Sequence, residues 1–292
     1  MRDYKLATGL IDGQPTPLVL VDGRVWLLSE VLGDGAPSDL LDVFRDWQRL
    51  DGELAGAVSG LPQGARDPSS ITFSTPLGNP PKLICIGTNY KDHLAEMKVT
   101  TLPDFPYAFL RPNTSLAAHG ETIKLPSLPR MVDWEAELGF VIGKRAEQGS
   151  SPDPMELVAG YTVINDISAR DWIATRPHVG IDWVMQKAWD KFQPTGPWIT
   201  PARFVANPQD LPIELMVNGI VKQQSNTCNM IFGVADVVRH LLSIMTLEPG
   251  DLIATGTPAG VGFGKRPPEF ITAGDVVTVS VQGLGRLENN FV

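Results

Sequence analysis

The sequence predicts a mixed, β-rich α+β fold in which a small α+β domain at residues 1–77 precedes a larger domain at residues 78–292. The 28 glycines and 25 prolines among 292 residues exceed average usage, so the chain turns often and has little room for long helices. Short apolar runs recur between those turns, as they do in strands. Residues 60–81 are rich in proline, glycine and serine, which suits a linker or an extended crossover.

The first 75 residues contain the signals of hairpins and of one helix. Apolar runs at residues 17–21 and 25–28 alternate with Asp-Gly pairs at residues 12–13, 22–23 and 34–35, and such pairs form tight hairpin turns. Residues 38–54 carry apolar side chains near the 3.6-residue period, which predicts a single helix.

The larger domain is predicted to consist mainly of strands. An apolar run at residues 82–87 leads into a short helix over residues 90–97, and a longer helix covers residues 231–245. Further strands are predicted at residues 134–142, 158–164, 212–217, 251–255 and 276–281. No period of 20 to 50 residues repeats, which argues against solenoids and propellers.

Charge and cysteine usage restrict the class of partner and the compartment. The 24 basic and 33 acidic residues give a net charge of −9, so nucleic acid and anionic membranes are not expected partners. The two cysteines, Cys85 and Cys228, suit a reduced cellular setting. Neither the apolar run of a signal peptide nor that of a membrane span is found, which predicts a cytoplasmic protein.

Three carboxylates are candidate metal ligands. Glu135 and Glu137 alternate along a predicted strand, so both lie on one face, and Asp166 stands where the next strand ends. Like charges this close need a positive partner, and oxygen ligands of short reach suit Mg²⁺ or Mn²⁺ better than zinc. A solvated strand face for the glutamates and a helix N-cap for Asp166 are the alternatives.

Two further groups could act on a substrate. His93 and Glu96 lie three residues apart on the predicted short helix, where a carboxylate can orient an imidazole that activates water. Lys187 could place a cation over a developing oxyanion. A solvent-exposed ion pair and a solvated lysine are the respective alternatives.

The glycine-rich residues 255–265 do not form a phosphate-binding P-loop. Ala259 stands where the motif requires glycine, and Arg266 stands where it requires serine or threonine. A tight loop that brings backbone N–H groups and Thr257 toward a small anion remains open.

Taken together, five separated motifs resemble those of the fumarylacetoacetate hydrolase family in order and spacing. They are CIGTNY (85–90) followed by His93 and Glu96, EAEL (135–138), NDISARD (165–171), Lys187 with PTGPW (194–198), and LEPGD (247–251) through TGTP (255–258). The similarity covers roughly residues 80–292, while residues 1–75 resemble the more variable N-terminal domain of bacterial members. The resemblance implies a C-terminal β-roll of mixed sheets and a homodimer.

By the same resemblance, eight residues match functional positions of the family. They are the ligands of Mg²⁺, or of Mn²⁺ or Ca²⁺ (Glu135, Glu137, Asp166), the water-activating pair (His93, Glu96) and the groups that contact substrate (Lys187, Thr257, Tyr90). A 2-oxo acid would chelate the metal, which would stabilise the enolate left when a carbon–carbon bond breaks.

The resemblance therefore implies a metal-dependent hydrolase that cleaves a carbon–carbon bond in a 2,4-dioxo acid of the acylpyruvate type. An oxaloacetate-type decarboxylase or tautomerase, a dienoate isomerase or hydratase, and a non-catalytic binding relative remain open, because fold alone does not choose among them.

Two departures from the family pattern favour a less charged acyl group. Many relatives carry glutamine where this chain has Ile173, and some that act on oxaloacetate carry arginine where it has Thr88. Both changes remove polar contacts for a second carboxylate. The neighbouring tryptophans Trp172, Trp183 and Trp189 are consistent with an apolar pocket, or else belong to the core.

Overall fold

The structure is a computed structural model that describes residues 2–174 and 180–292. Its strands, in chain order, are Lys5–Ile11 (β1), Gln14–Val21 (β2), Arg24–Leu27 (β3), Thr72–Phe73 (β4), Leu83–Gly87 (β5), Tyr107–Leu110 (β6), Leu116–Ala117 (β7), Thr122–Ile123 (β8), Val132–Asp133 (β9), Ala136–Ile142 (β10), Val158–Asn165 (β11), Ser168–Ala169 (β12), Gln193–Pro201 (β13), Pro212–Val217 (β14), Ile220–Asn226 (β15), Leu252–Ala254 (β16), Val276–Val281 (β17) and Gly285–Phe291 (β18). Its α-helices are Leu28–Leu32 (α1), Leu40–Arg45 (α2), Trp47–Ala57 (α3), Lys91–Glu96 (α4), Asp171–Ala174 (α5), Trp183–Lys187 (α6) and Val234–Ile244 (α7).

Two large mixed sheets form the framework, which confirms the predicted β-rich α+β fold. The larger has eleven strands, in the order β3-β2-β1-β13-β11-β10-β16-β5-β6, with β4 paired to β1 and β7 paired to β13. The smaller has five strands, in the order β15-β14-β17-β18-β8, and β9 pairs with β12 separately. Most pairs are antiparallel, whereas β5 with β16, β7 with β13 and β8 with β18 run parallel.

The main core lies where β10 and β11 of the larger sheet, the five-stranded sheet and α7 pack together. Helix α7 buries residues at helical spacing, with Val234, Val237, Val238, Leu241 and Leu242 all inside. A second buried cluster includes Leu6 and Phe44 from the N-terminal region together with Leu83 and Val141. No described helix is long and apolar enough to cross a membrane.

The structure differs from the predicted helix over residues 38–54. Two helices, α2 and α3, replace it because Asp46 leaves the helical conformation, with φ −118° and ψ 36°. The Asp46 carboxylate instead accepts a hydrogen bond from Arg49 Nε at 2.6 Å. Phe44 and Leu50 stay buried on either side of this break, so the apolar period predicted the buried face but not the interruption.

Residues 60–81 pack on the N-terminal strands. Strand β4 pairs with β1, and Val25 and Arg66 exchange backbone hydrogen bonds. Strand β1 in turn pairs with β13 at Leu6 and Ile199, so the N-terminal strands extend the larger sheet. The division of the chain at residue 78 stays a prediction.

Candidate functional site

Three carboxylates meet where β10 begins and β11 ends. The antiparallel register pairs Ala136 with Asn165, which brings the flanking residues Glu135 and Glu137 next to Asp166. Each carboxylate offers an oxygen, and these atoms lie within 4.8 Å of one another. All three side chains are buried. We call Glu135, Glu137 and Asp166 the carboxylate cluster.

Three cations face the carboxylate cluster. Lys187 Nζ donates to Glu135 Oε2 at 2.9 Å and to Asp166 Oδ2 at 2.6 Å. Arg170 contacts Glu135, and Arg111 contacts Asp166. Lys187 is therefore buried and paired with the cluster rather than solvated, while its role over an oxyanion stays a prediction. The two arginines were not assigned from the sequence. Arg170 stands inside the NDISARD motif, whereas no local signal marked Arg111.

The charges around the cluster shift its pKa values in opposite directions. Burial raises the pKa of Glu135, but attraction to Lys187 and Arg170 outweighs burial and lowers it to about 2. Burial, followed by repulsion from Asp166 and Glu135, raises the pKa of Glu137 well above its usual range. The Glu137 carboxylate accepts a hydrogen bond from the Gly256 N–H at 2.8 Å.

These residues fit a hard divalent cation. The cluster supplies three carboxylates in a buried place, and oxygen ligands of this kind are what Mg²⁺ and Mn²⁺ prefer. The repulsion that raises the pKa of Glu137 is what such a cation would relieve. The buried hydroxyl of Tyr90 has no hydrogen-bond partner among the described residues, and its pKa is raised by burial and then by nearby Glu137. A polar ligand beside Glu137 would give that hydroxyl a partner.

His93 and Glu96 meet on α4 as the sequence predicts. His93 Nδ1 lies 3.3 Å from Glu96 Oε2, and His93 is buried. Burial raises the pKa of Glu96, but hydrogen bonds from His93 and from the Gly260 N–H lower it overall. An electrostatic interaction with His93 is among the lesser causes that lower the pKa of Glu135, so the imidazole lies near the carboxylate cluster. We call His93 and Glu96 the dyad.

The turn before α4 is fixed by Asn89, which the structure shows to be fully buried. Its side chain donates to the carbonyls of Thr255 and Phe232 at 2.8 and 3.0 Å and accepts from the Phe232 N–H at 2.9 Å. Thr257, two residues after Thr255, is buried, and its hydroxyl accepts a hydrogen bond from Gln223 Nε2 at 2.8 Å. Gln223 is a further site neighbour that the sequence did not reveal.

An aromatic group lies beside Lys187. Trp183 stacks on Phe109 with ring centroids 4.2 Å apart, and its Nε1 donates to the Tyr107 hydroxyl at 2.9 Å. Lys187 Nζ lies 5.8 Å from the centroid of the Phe109 ring. Trp189 packs instead against Phe192, with centroids 6.2 Å apart. Of Trp183 and Trp189, it is therefore Trp183 that lies in the aromatic group beside Lys187.

The comparisons with known proteins agree with this geometry. A sequence model described as the fumarylacetoacetate (FAA) hydrolase C-terminal domain matches residues 82–292. The chain belongs to the fumarylacetoacetate hydrolase family.

Relatives within the fumarylacetoacetate hydrolase family carry different activities. The oxaloacetate tautomerase fahd2, mitochondrial, of Xenopus laevis is 41% identical over 224 residues, which cover 77% of this chain and 69% of that protein. Maleylpyruvate hydrolase from Sphingobium sp. SYK-6, solved with manganese(II) and pyruvate, is 27% identical with a TM-score of 0.79 and covers 99% of this chain and 98% of its own. The 2-hydroxyhepta-2,4-diene-1,7-dioate isomerase from Mycobacterium marinum is 28% identical with a TM-score of 0.72, at the same coverage. The chain therefore belongs to an enzyme family that includes hydrolases, isomerases and tautomerases.

The two departures from the family pattern lie in different settings. Ile173 is half-buried on α5. Thr88 is exposed and has φ +39°, a left-handed conformation that is costly for a β-branched residue. Backbone strain of this kind is common at functional sites. Thr88 connects β5 to Asn89 and α4, so the strained residue lies in the segment that carries the dyad.

Proposed function

We propose that this protein is a divalent-metal-dependent hydrolase that cleaves a carbon–carbon bond in a 2,4-dioxo acid of the acylpyruvate type. The products would be a carboxylic acid and pyruvate or a related 2-oxo acid. One observation carries the proposal, which is the dyad near the carboxylate cluster, in which the Nδ1 of buried His93 lies 3.3 Å from Oε2 of half-buried Glu96. Hydrolysis needs both an electrophilic site for the 2-oxo acid and a base for water, whereas simple decarboxylation needs no such base.

The residues proposed to hold Mg²⁺ or Mn²⁺ are Glu135, Glu137 and Asp166. The manganese(II) and pyruvate in the related maleylpyruvate hydrolase support this assignment, because pyruvate has the same 2-oxo acid end. A cation bound there would polarise the 2-oxo group and stabilise the negative charge that develops when the bond breaks. Ca²⁺ is the less favoured alternative, since it takes more oxygen ligands.

The dyad would accept a proton from water and return it to the substrate. With His93 Nδ1 donating to Glu96, the Nε2 lone pair is available to accept a proton from water, while the water oxygen adds to the C4 carbonyl. The C3–C4 bond then breaks, and its electron pair moves onto C3 and the 2-oxo group. Protonated His93 returns its proton to C3, which balances the reaction.

The neighbouring groups would bind and orient the substrate. Lys187 is a buried ammonium beside the cluster and suits the carboxylate or oxo oxygens of a 2-oxo acid. The Thr257 hydroxyl, held by Gln223, and the Tyr90 hydroxyl are further hydrogen-bonding groups. Beyond them, Trp183 offers an aromatic face to an apolar acyl group.

An oxaloacetate tautomerase is the second candidate. It is favoured by the 41% identity to the Xenopus laevis protein of that name. Two points count against it. Thr88 and Ile173 offer few polar contacts to the second carboxylate of oxaloacetate, and tautomerisation does not require the attacking water that the dyad would activate. A dienoate isomerase and a non-catalytic binding relative are outcomes of the same test. The homodimer and the cytoplasmic location stay predictions, and the Xenopus relative's name places it in mitochondria.

The test compares the specificity constant kcat/KM for an acylpyruvate with that for oxaloacetate at saturating Mg²⁺ or Mn²⁺ and with a chelator. The two substrates share the chelating end and differ beyond it, so the ratio reports on the distal pocket. We expect the acylpyruvate to be preferred and to yield two carboxylic acids. Equal or better use of oxaloacetate would favour the tautomerase, and release of CO₂ would favour a decarboxylase. Metal binding without turnover of either substrate would favour a dienoate isomerase or a binding protein.

A dyad variant completes this experiment. His93→Ala should lower hydrolysis by about 10²- to 10⁴-fold, which is typical for loss of a general base. His240→Ala is the matched control, because that histidine lies on α7 and stacks on Phe105. Near-normal hydrolysis by His93→Ala with the metal bound would show that His93 is not the base.

A further inference from the structure

The glycine-rich residues 260–264 lie against the site, although they do not form a P-loop. Their backbone N–H groups point at carboxylates of this chain. The Gly260 N–H donates to Glu96 Oε1 at 3.0 Å. The N–H groups of Gly262 and Phe263 donate to the two oxygens of Asp133 at 2.6 and 3.0 Å. This loop therefore holds one member of the dyad and one buried aspartate at the same time.

The absence of side chains at these glycines is what allows the close approach. A Cβ on Gly264 would lie 2.6 to 3.0 Å from the carboxyl and Cγ atoms of Glu96. A Cβ on Gly262 would lie 2.8 Å from Asp133 Oδ1 and 1.9 Å from the carbonyl oxygen of Glu269. Real Cβ atoms do not approach other atoms so closely, so any side chain at Gly264 would displace Glu96.

Asp133 ties the loop to the carboxylate cluster. The Asp133 side chain is completely buried, and besides the loop it accepts a hydrogen bond from Arg170 Nε at 2.9 Å. Arg170 also contacts Glu135. Trp134 adds a second anchor, since its Nε1 donates to the Gly260 carbonyl at 3.1 Å. A continuous set of contacts thus runs from Glu135 through Arg170, Asp133 and the loop to the dyad.

We propose that residues 260–264, anchored on Asp133, are positioning residues that fix Glu96, and through it the His93 imidazole, relative to the carboxylate cluster. This inference rests on the proposed function, because it takes the dyad to be the base. The Gly260 N–H holds the Glu96 carboxylate by a hydrogen bond, and the bare backbone of Gly264 leaves the space that the Glu96 side chain occupies. A misplacement of about 1 Å in a catalytic group can cost about 10²-fold in rate.

The test is a double-mutant cycle between Gly264 and Glu96, followed by kcat and KM at saturating Mn²⁺. Gly264→Ala should lower kcat by about 10²-fold while KM changes little. In the Glu96→Ala background the displaced carboxylate is gone, so Gly264→Ala should cause no further loss. Gly56→Ala is the matched control, because that helical glycine has open space around it.

Thermal unfolding of the wild type, the two single variants and the double variant distinguishes a loss of positioning from a loss of folding. Gly264→Ala should lower Tm in the presence of Glu96 but not in the Glu96→Ala background, because the clash is with that carboxylate. Asp133→Asn should lower kcat as well, since each carboxylate oxygen accepts from a different loop N–H and the amide replaces one of these acceptors with an NH₂ donor.

The outcomes separate the two hypotheses. An inactive Glu96→Ala with a fully active Gly264→Ala, or an equal loss from Gly264→Ala in both backgrounds, would overturn the positioning role alone. An unchanged kcat in Asp133→Asn would overturn the anchoring role of that residue. Wild-type turnover by Glu96→Ala would overturn the assignment of the dyad and, with it, this inference.

Discussion

Binding of Mn²⁺ to the carboxylate cluster should release about one proton and should tighten as the pH rises. Glu135 and Asp166 each contact cationic side chains, whereas the Glu137 carboxylate accepts a hydrogen bond from the Gly256 N–H. Burial and repulsion from the other two carboxylates raise the pKa of Glu137 well above its usual range. Because metal ligands bind as carboxylates, the ion must displace the proton held there.

The size of the change in Mn²⁺ affinity with pH follows from the release of one proton for each ion bound. While the pH lies below the raised pKa of Glu137, the affinity should increase about tenfold per pH unit, or about 1.4 kcal/mol, and it should level off above that pKa. Without added metal, the stability of the folded protein should change with pH in the opposite direction. Because the pKa of Glu137 is raised in the folded state, its protonated form contributes stability that is fully present below the unfolded pKa, about 4.3. This contribution is lost as the pH rises through the folded pKa. The gain in Tm on adding Mn²⁺ should therefore grow with pH.

Isothermal titration calorimetry at one mildly acidic pH in two buffers measures the proton count. The difference between the observed enthalpies, divided by the difference between the buffers' ionisation enthalpies, gives the protons released. Glu137→Gln is the control, since it should bind Mn²⁺ more weakly and release none. Equal enthalpies in both buffers, together with a Kd that does not change with pH, would refute the reasoning.

Three further predictions concern stability and turnover. Thr88→Gly should be more stable than Thr88→Ala by about 1 kcal/mol in urea unfolding, because only glycine adopts φ +39° without cost, and equal stabilities would contradict the strain. Gly250→Ala should cost about 2 to 4 kcal/mol, because φ is +88° and the new Cβ would lie 2.1 Å from Leu41 Cδ1; an unchanged Tm would count against it. Lys187→Met should lower kcat by at least about 10²-fold, because it removes the ammonium proposed to bind substrate oxygens. It should not weaken Mn²⁺ binding, because it also removes a competing cation from two cluster carboxylates. A normal kcat would exclude the catalytic role of Lys187.

The sequence predicts the parts of the site that share one strand or one helix. The spacing of Glu135 and Glu137 implies a common face, and the i, i+3 spacing of His93 and Glu96 implies contact, as the structure shows. Arg111 could not be found in this way. It reaches Asp166, 55 residues away, only because β6 lies beside β5 at the edge of the larger sheet.

Two of the strands that were not predicted, β13 and β18, have compositions that argue against strands. Strand β13 contains Pro194, Gly196 and Pro197, yet it pairs with β11 through an irregular register that accommodates them. Strand β18 is polar along its length, although Leu287, Asn289 and Phe291 alternate inward. The amide of buried Asn289 donates to the carbonyls of Ala118 and Glu121, contacts that exist only in the folded chain.

Cleavage of an acylpyruvate in water enriched in ¹⁸O tests the central claim most directly. A dyad that delivers water to the C4 carbonyl predicts one ¹⁸O atom from solvent in the released carboxylic acid, measured by mass spectrometry on early time points. The label should appear with the wild-type protein and Mn²⁺, and its rate of appearance should fall by about 10²-fold or more in His93→Ala. Proton exchange at C3 with no cleavage and no label in a carboxylic acid would contradict the account and identify a tautomerase or isomerase.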